Sequence, residues 1–323
     1  MYPLKFEPIL KDKIWGGHKL RQIFGKEPFN LSNIGESWEL SGYKTDPSVV
    51  ANGEFAGKTL LELIETYKGD LLGEKIYKQY GCEFPLLFKL IDANDDLSIQ
   101  VHPNDDFAAQ RHESFGKTEM WYVLDAAYEA YLIIGFNEDT ERQHYVKAVE
   151  TGEVENLLQK VPVKSGDVFF IPAGLVHAIG KGVIVAEIQQ SSDVTYRIYD
   201  YKRTDEQGNA RELHTELAVD VIDYSASKYP KTEYKTVKNE TCPLVKCDYF
   251  TINILEFEAD MEKDYSSLDS FVSYMCLDGK IEIISKENIV ELKKGETVLI
   301  PASLKKIILK PLTESKLLEV FIS

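Results

Sequence analysis

The feature that most limits what this chain can fold into is its succession of short β-type runs. Residues 86–91, 97–102, 119–124, 130–134, 167–171, 183–188 and 194–199 are rich in β-branched and aromatic side chains. Gly, Pro, Asn or Asp often stands between them. Runs this short, broken this often, fit a sandwich or barrel of antiparallel strands rather than a helical bundle. After about residue 238 the pattern is strands only, at 244–257, 270–275, 280–284, 296–300, 305–309 and 317–322. Three stretches carry helical spacing instead. Residues 59–80 place Leu60, Leu61, Ile64, Leu71, Leu72 and Ile76 on one face, 139–158 is charged and amphipathic, and 212–223 carries Leu213, Leu217, Val219, Val221 and Ile222. They read as insertions, at about 55–80, 139–160 and 211–224, around a β core.

An internal repeat supports two β units. Residues 163–174 align without a gap on 292–303: Gly166-Asp167 matches Gly295-Glu296, and Ile171-Pro172-Ala173 matches Ile300-Pro301-Ala302. A Gly-acid turn feeds a buried strand that proline ends. Position 177 of the first copy is His, and the matching position of the second is Lys306, so the second copy keeps the scaffold and loses a possible ligand. With the polar stretch 229–241 as connector, the expected domains are 1–238, with the helical insertions, and 239–323. The length of 323 residues agrees, at about 150 residues per domain.

Charge narrows the partners. Thirty-seven basic residues against 53 acids give −16, which argues against nucleic acid and anionic membrane as partners. A small anionic substrate would need a few basic groups gathered locally. No run of about 18 apolar residues exists, and Met1-Tyr2-Pro3-Leu4-Lys5 lacks the pattern of a secretory signal. Cys82, Cys242, Cys247 and Cys276 form no CxxC pair and read as reduced thiols of a cytoplasmic protein.

Only six histidines are present. In a strand, residues i and i+2 share a face, so Gln100 and His102 project together. His177 follows another strand, and Glu119 opens a third. Gln, His, Glu and His could make a four-ligand cage for zinc or another divalent transition ion, a Lewis acid toward a hydroxyl or carbonyl. The plainer alternative is that each histidine is a hydrogen-bonded, half-buried strand residue.

The chain resembles the type I mannose-6-phosphate isomerases in their short bacterial form. The segments that carry the resemblance are Trp15-Gly16-Gly17, Gly35-Glu36-Ser37-Trp38-Glu39, Pro85-Leu86-Leu87-Phe88-Lys89, Leu97-Ser98-Ile99-Gln100-Val101-His102-Pro103, Lys117-Thr118-Glu119-Met120-Trp121-Tyr122, Ile171-Pro172-Ala173-Gly174-Leu175-Val176-His177-Ala178 and 187–197. They cover roughly residues 1–205, in the family's order. The resemblance implies a mainly β cupin (jelly-roll) barrel with helical insertions, followed by a degenerate cupin-like β domain without metal. It also implies one Zn2+ per chain, held by Gln100, His102, Glu119 and His177. The implied reaction interconverts mannose 6-phosphate and fructose 6-phosphate through a cis-enediol.

Such chemistry needs a proton shuttle, stabilisation of the enediolate oxygen and a grip on the phosphate. Arg197 matches the family's active-site arginine and suits electrostatic stabilisation or orientation, its alternative being a structural ion pair. Lys117 and Glu187 are the proton-shuttle candidates. Ser98, Lys89 and the Lys202-Arg203 pair are candidates for the phosphate, although Lys202-Arg203 also reads as a solvated turn. Asp193 could meet a sugar hydroxyl or the arginine. Trp15 and Trp38 could wall the pocket or simply pack the core. The chain is shorter than the long forms of the family, which leaves lid and subunit contacts open; a monomer or weak homo-oligomer is expected. Two other readings are a non-catalytic cupin sensor of sugar phosphates and an iron oxygenase using Glu and two His as a facial triad. The joint presence of Lys117, Glu187 and Arg197 speaks against the first, and Gln100 with the phosphate candidates against the second.

Overall fold

The computed structural model describes residues 1–26, 33–204, 208–228, 230–286 and 288–323. Tyr229, the first residue of the expected connector, lies outside them. Two compact units result, and both are discontinuous: 10–37 with 90–232, and 1–9 with 38–89 and 233–323. The division therefore differs from a single cut at residue 238. Hydrogen bonding explains why the 60–80 region joins the C-terminal strands. Phe271 donates to the Leu72 carbonyl (3.0 Å), Ala302 to Leu71 (2.9 Å) and Ser303 to Asp70 (2.9 Å). Asp269 accepts from the amide of Glu74 at 2.8 Å. These bonds satisfy helix-end groups that have no partner within their own helix.

In the first unit, five strands form a sheet in the order Tyr196–Tyr199, Ile99–Val101, His177–Ile179, Tyr131–Phe136, Leu158–Pro162. A larger sheet runs Val168–Ile171, Glu119–Ala126 and Val183–Gln190, and continues with the parts of three further strands that belong to this unit, 90–93, 34–37 and 10–17. Trp121, Val123, Phe169, Ile171 and Val185 of the larger sheet pack with Leu132, Ile134, Val161 and Ile179 of the smaller. The alternate residues Ile99, Val101, Ile133, Tyr196 and Ile198 form a second core with Tyr145, Ala148 and Ala218 of the helices Arg142–Thr151 and Thr215–Val221. Period-2 alternation thus serves a barrel interior on one face and a helix cover on the other.

The second unit repeats the two-sheet plan. One sheet runs Leu4–Lys5, Thr297–Ile300, Val272–Asp278, Ser315–Phe321, Thr251–Phe257, Glu240–Lys246, and the other Met261–Asp264, Lys306–Pro311, Lys280–Ser285, Asn288–Lys293. Their core includes Leu255, Tyr274, Ile281, Ile283, Val298, Ile307 and Leu309. The sequence repeat is a structural one. Gly166 donates to Val123 O (2.9 Å) as Gly295 does to Cys276 O (2.8 Å), and both glycines have positive φ, 91° and 80°. The registers correspond as well: Ile171 lies opposite Glu119 as Ile300 lies opposite Val272, and Glu187 lies opposite Trp121 as Glu319 lies opposite Tyr274. The second copy therefore has valine where the first has the candidate ligand Glu119.

Several local expectations change. The 59–80 stretch breaks into Leu60–Tyr67, Gly69–Leu72 and Glu74–Tyr80, interrupted at Lys68 (φ 48°) and Gly73 (φ 96°). A Cβ on Gly73 would stand 2.5 Å from the Asp269 carbonyl oxygen, so the break is built in. The 139–158 stretch is α-helical over Arg142–Thr151, where Gly152 ends the helix in the left-handed conformation, and a short 3-10 helix follows at Val154–Leu157. Residues 244–257 fall into two strands, Glu240–Lys246 and Thr251–Phe257.

Candidate metal centre

Sheet register assembles the site. His177 lies opposite Gln100, and Gln100 opposite Arg197, on three adjacent strands. Directly opposed residues share a face, so these three side chains form one row. His102 follows immediately, after the strand Ile99–Val101. Glu119 and Trp121 project from one face of the strand Glu119–Ala126 in the larger sheet. The ligand atoms of His102, Glu119 and His177 all lie within 4.8 Å of one another. His102 Nε2 is 3.3 Å from Glu119 Oε1, and His177 Nε2 is 3.8 Å from Oε2.

Each imidazole is aimed by its other nitrogen. His102 Nδ1 bonds the Val194 carbonyl at 3.0 Å, and His177 Nδ1 the Leu175 carbonyl at 2.8 Å. Donation from Nδ1–H leaves both Nε2 lone pairs pointing at Glu119, the tautomer that a metal ligand requires. The side-chain amide of Gln100 completes the group, with its nitrogen 3.3 Å from His177 Nε2. A half-turn of that amide puts the oxygen in the same place.

The residues fit a cation by their unmet needs. His102 Nε2 and both Glu119 oxygens are buried without a hydrogen bond of good geometry, although the Lys117 amine reaches to 3.1 Å of Oε1. A buried carboxylate in that condition is costly unless a cation completes it. Burial pushes the His102 imidazole down to about 3 and also lowers His177. Burial alone would raise Glu119, but the Lys117 ammonium holds it well below the usual carboxylate range. The site is thus two neutral imidazoles and one carboxylate, a donor set for a divalent ion.

The other expected residues fall into three groups. Lys117, Glu187, Ser98 and Arg197 belong to the same unit as the cage, with Lys117 3.1 Å from Glu119 and Arg197 in register with Gln100. Trp121 Nε1 donates to Glu187 Oε2 at 2.8 Å, while its ring stands edge-on to His177 at 5.3 Å. Arg197 Nε donates to Ser98 Oγ at 3.3 Å. Trp15 packs in the barrel core, 4% exposed, and Asp193 is exposed at the surface. Arg203 is held in place by Asp200 and the Asp96 carbonyl. Lys89 and Trp38 belong to the other unit, the Lys89 amine lying 5.6 Å over the Trp38 ring.

A supporting network was not anticipated. Asp105 accepts from the Gly116 amide (2.8 Å) and from Gln190 Nε2 (3.0 Å), and Gln190 Oε1 accepts from the Thr118 amide (2.9 Å). Lys117 N donates to Pro103 O (3.1 Å) and Gly174 N to His102 O (2.9 Å). These bonds tie the three ligand-bearing segments together. Asn104, which caps the helix Asp105–His112, was the available sequence signal.

A two-sheet barrel that converges imidazoles and a carboxylate on one interior point defines a cupin whose donor set could hold a metal ion. The model described as "Phosphomannose isomerase type I, catalytic domain" matches residues 3–130, and "Mannose-6-phosphate isomerase, cupin domain" matches 240–314. The chain is 38% identical over 310 residues, 94% of either chain, to the mannose-6-phosphate isomerase ManA of Bacillus subtilis. It is 36% identical over 304 residues to the mannose-6-phosphate isomerase of Streptococcus mutans, covering 94% of this chain and 93% of that one. A crystal structure of the Bacillus subtilis mannose 6-phosphate isomerase superposes with a TM-score of 0.89, at 33% identity over 99% of each chain. The chain belongs to the type I phosphomannose isomerase family.

Proposed function

We propose that this chain is a metal-dependent aldose–ketose isomerase that interconverts mannose 6-phosphate and fructose 6-phosphate. The observation that carries the reading is the convergence of His102, Glu119, His177 and Gln100 beside Lys117, with Gln100 and His177 in one row with Arg197. Relatives that match over 94% of the chain and bear the isomerase name support it.

Gln100, His102, Glu119 and His177 would hold the ion, and nitrogen with oxygen donors suits zinc. When bound, a divalent ion supplies Lewis-acid polarisation of a substrate oxygen. Arg197 supplies a fixed positive charge for the enediolate oxygen. Its bond to Ser98 places a hydroxyl beside that charge, where an anionic substrate group gains charge-assisted hydrogen bonds. Lys117, within 3.1 Å of Glu119, is placed to move the proton between C1 and C2 of the sugar. Glu187, held by Trp121, is the second acid–base group. Arg203 is a positioning group in this scheme, because its guanidinium is engaged by Asp200 and Asp96 O. The free thiols of all four cysteines fit a cytoplasmic setting.

The test is a coupled isomerase assay on chelator-stripped protein. Activity should vanish on stripping and return with zinc at about one ion per chain. Full turnover by metal-free protein would refute the metal's role. Tight phosphosugar binding without product would instead support the sensor reading, which the isomerase relatives disfavour.

A further inference from the structure

Arg197 is fixed by more than its own strand. Its amide donates to His214 Nδ1 (3.2 Å), its carbonyl accepts from the His214 amide (2.7 Å), and its Nη1 donates to the Glu212 carbonyl (2.8 Å). The run 212–214 therefore grips both the backbone and the side chain of Arg197. Arg211, the residue before that run, is bound two-fold by Asp200: Nε to Oδ2 at 2.7 Å and Nη2 to Oδ1 at 2.5 Å. Arg203 adds a third bond, Nη2 to Asp200 Oδ1 at 2.6 Å, and its Nη1 reaches the Asp96 carbonyl. Asp200 itself lies three residues after Arg197, with its side chain 6% exposed.

The contacts close a ring. From Arg197 the chain leads to Asp200, ion pairs lead to Arg211, the chain leads to Glu212, and hydrogen bonds lead back to Arg197. We propose that Asp200 is a positioning residue for the isomerisation, clamping the run 211–214 through Arg211 so that the Arg197 guanidinium keeps one orientation. This rests on the isomerase reading above. A forked guanidinium–carboxylate pair fixes direction as well as distance, which a single charge does not. Burial would push the Asp200 carboxyl up, but Arg211 and Arg203 hold it below its ordinary value, so the clamp is ionised across the working range. Arg203 thereby acts through Asp200 rather than on substrate.

The decisive experiment is a double-mutant cycle in full-length, zinc-loaded protein. Asp200→Asn should lower kcat by about 10- to 100-fold, since small misplacements of a reacting geometry cost that much. Bound zinc should stay at the wild-type level. In an Arg197→Ala background the same change should lower kcat by less than about 2-fold, because the group that it orients is gone. Arg211→Lys, which keeps charge but loses the fork, should reproduce the pattern and guards against a folding defect in Asp200→Asn. Equal losses in both backgrounds, or wild-type kcat in Asp200→Asn, would overturn the proposal. An independent readout is solvent exchange of the Arg197 Nε–H resonance, identified by its loss in Arg197→Ala. It should speed up at least about 10-fold in Asp200→Asn, and an unchanged rate would refute the clamp even in protein without isomerase activity.

Discussion

Lys263 in the second barrel offers a sharp test of the electrostatic reading. Its amine lies 2.6 Å from Glu319, and the two side chains are 10% and 2% exposed. Glu319 also accepts from Tyr265 (2.6 Å), Tyr274 (2.9 Å) and Asn253 (2.8 Å). Burial would raise the Glu319 carboxyl, yet Lys263 and these donors hold it below its ordinary value, so it is ionised when folded. Lys263→Met removes the ammonium and leaves three neutral donors. Breaking a buried pair in this way costs about 3–5 kcal/mol. With three hydrogen bonds kept, we take roughly 3 kcal/mol, or a Tm lower by about 6–12 °C near neutral pH. The sign of the pH effect follows. In the wild type, the depressed carboxyl contributes stability present above the ordinary glutamate value of about 4.3 and lost as pH falls through its folded value. In the variant, burial raises the folded carboxyl, so the penalty is relieved as pH falls. The Tm gap between the two proteins should be widest at pH 7.5 and shrink towards pH 4.5, read by calorimetry. A gap under about 2 °C at pH 7.5, or one that stays constant with pH, would refute the argument.

The metal centre should load without a proton cost. His102 and His177 are lowered by burial and Glu119 is held low, so all three are deprotonated at pH 7. Zinc titration calorimetry in two buffers of different ionisation enthalpy should give the same heat; release of about one proton per ion would contradict this. Gly16→Ala should destabilise the first unit by about 1–3 kcal/mol, because the new Cβ would meet the Gly35 amide nitrogen at 2.5 Å. An unchanged denaturation midpoint would show that the two glycine-bearing strands can separate at no cost.

How much was legible depends on the kind of signal. Strands such as Glu119–Ala126 and Val183–Gln190 show as apolar, β-branched or aromatic runs and were read within two residues. Ile9–Gly17 and Ile34–Tyr43 were missed as strands: they carry Lys11, Asp12, Lys13, Glu36 and Glu39 among their apolar residues, and two glycines each. Strand parity joins only Gln100 and His102, while the grouping of Glu119 and His177 with them rests on the family resemblance; His102, Glu119 and His177 do lie together. The Asp200 clamp was not legible, since ion pairing between Asp200 and Arg211 depends on how the chain after Tyr199 folds back, and no local period encodes that return. The same reason hid the tie between the 60–80 helices and the C-terminal strands: Leu71 and Leu72 show helical spacing, but their carbonyls accept from the amides of Ala302 and Phe271, far along the chain.

The two barrels share a matched aromatic–carboxylate pair, Trp121 with Glu187 and Tyr274 with Glu319. They part company in where positive charge comes from. In the first, the Lys117 ammonium stands 3.1 Å from Glu119, yet neither carboxylate oxygen has a well-formed hydrogen bond, so an exchangeable ion can add to the tethered charge. The second tethers its cation covalently, as the ammonium of Lys263. One copy of the duplicated fold thus offers a donor set that a metal ion could complete, and the other carries its cation on its own chain. A chelator should then divide the molecule along its own internal repeat, loosening the reactive barrel while its relic holds.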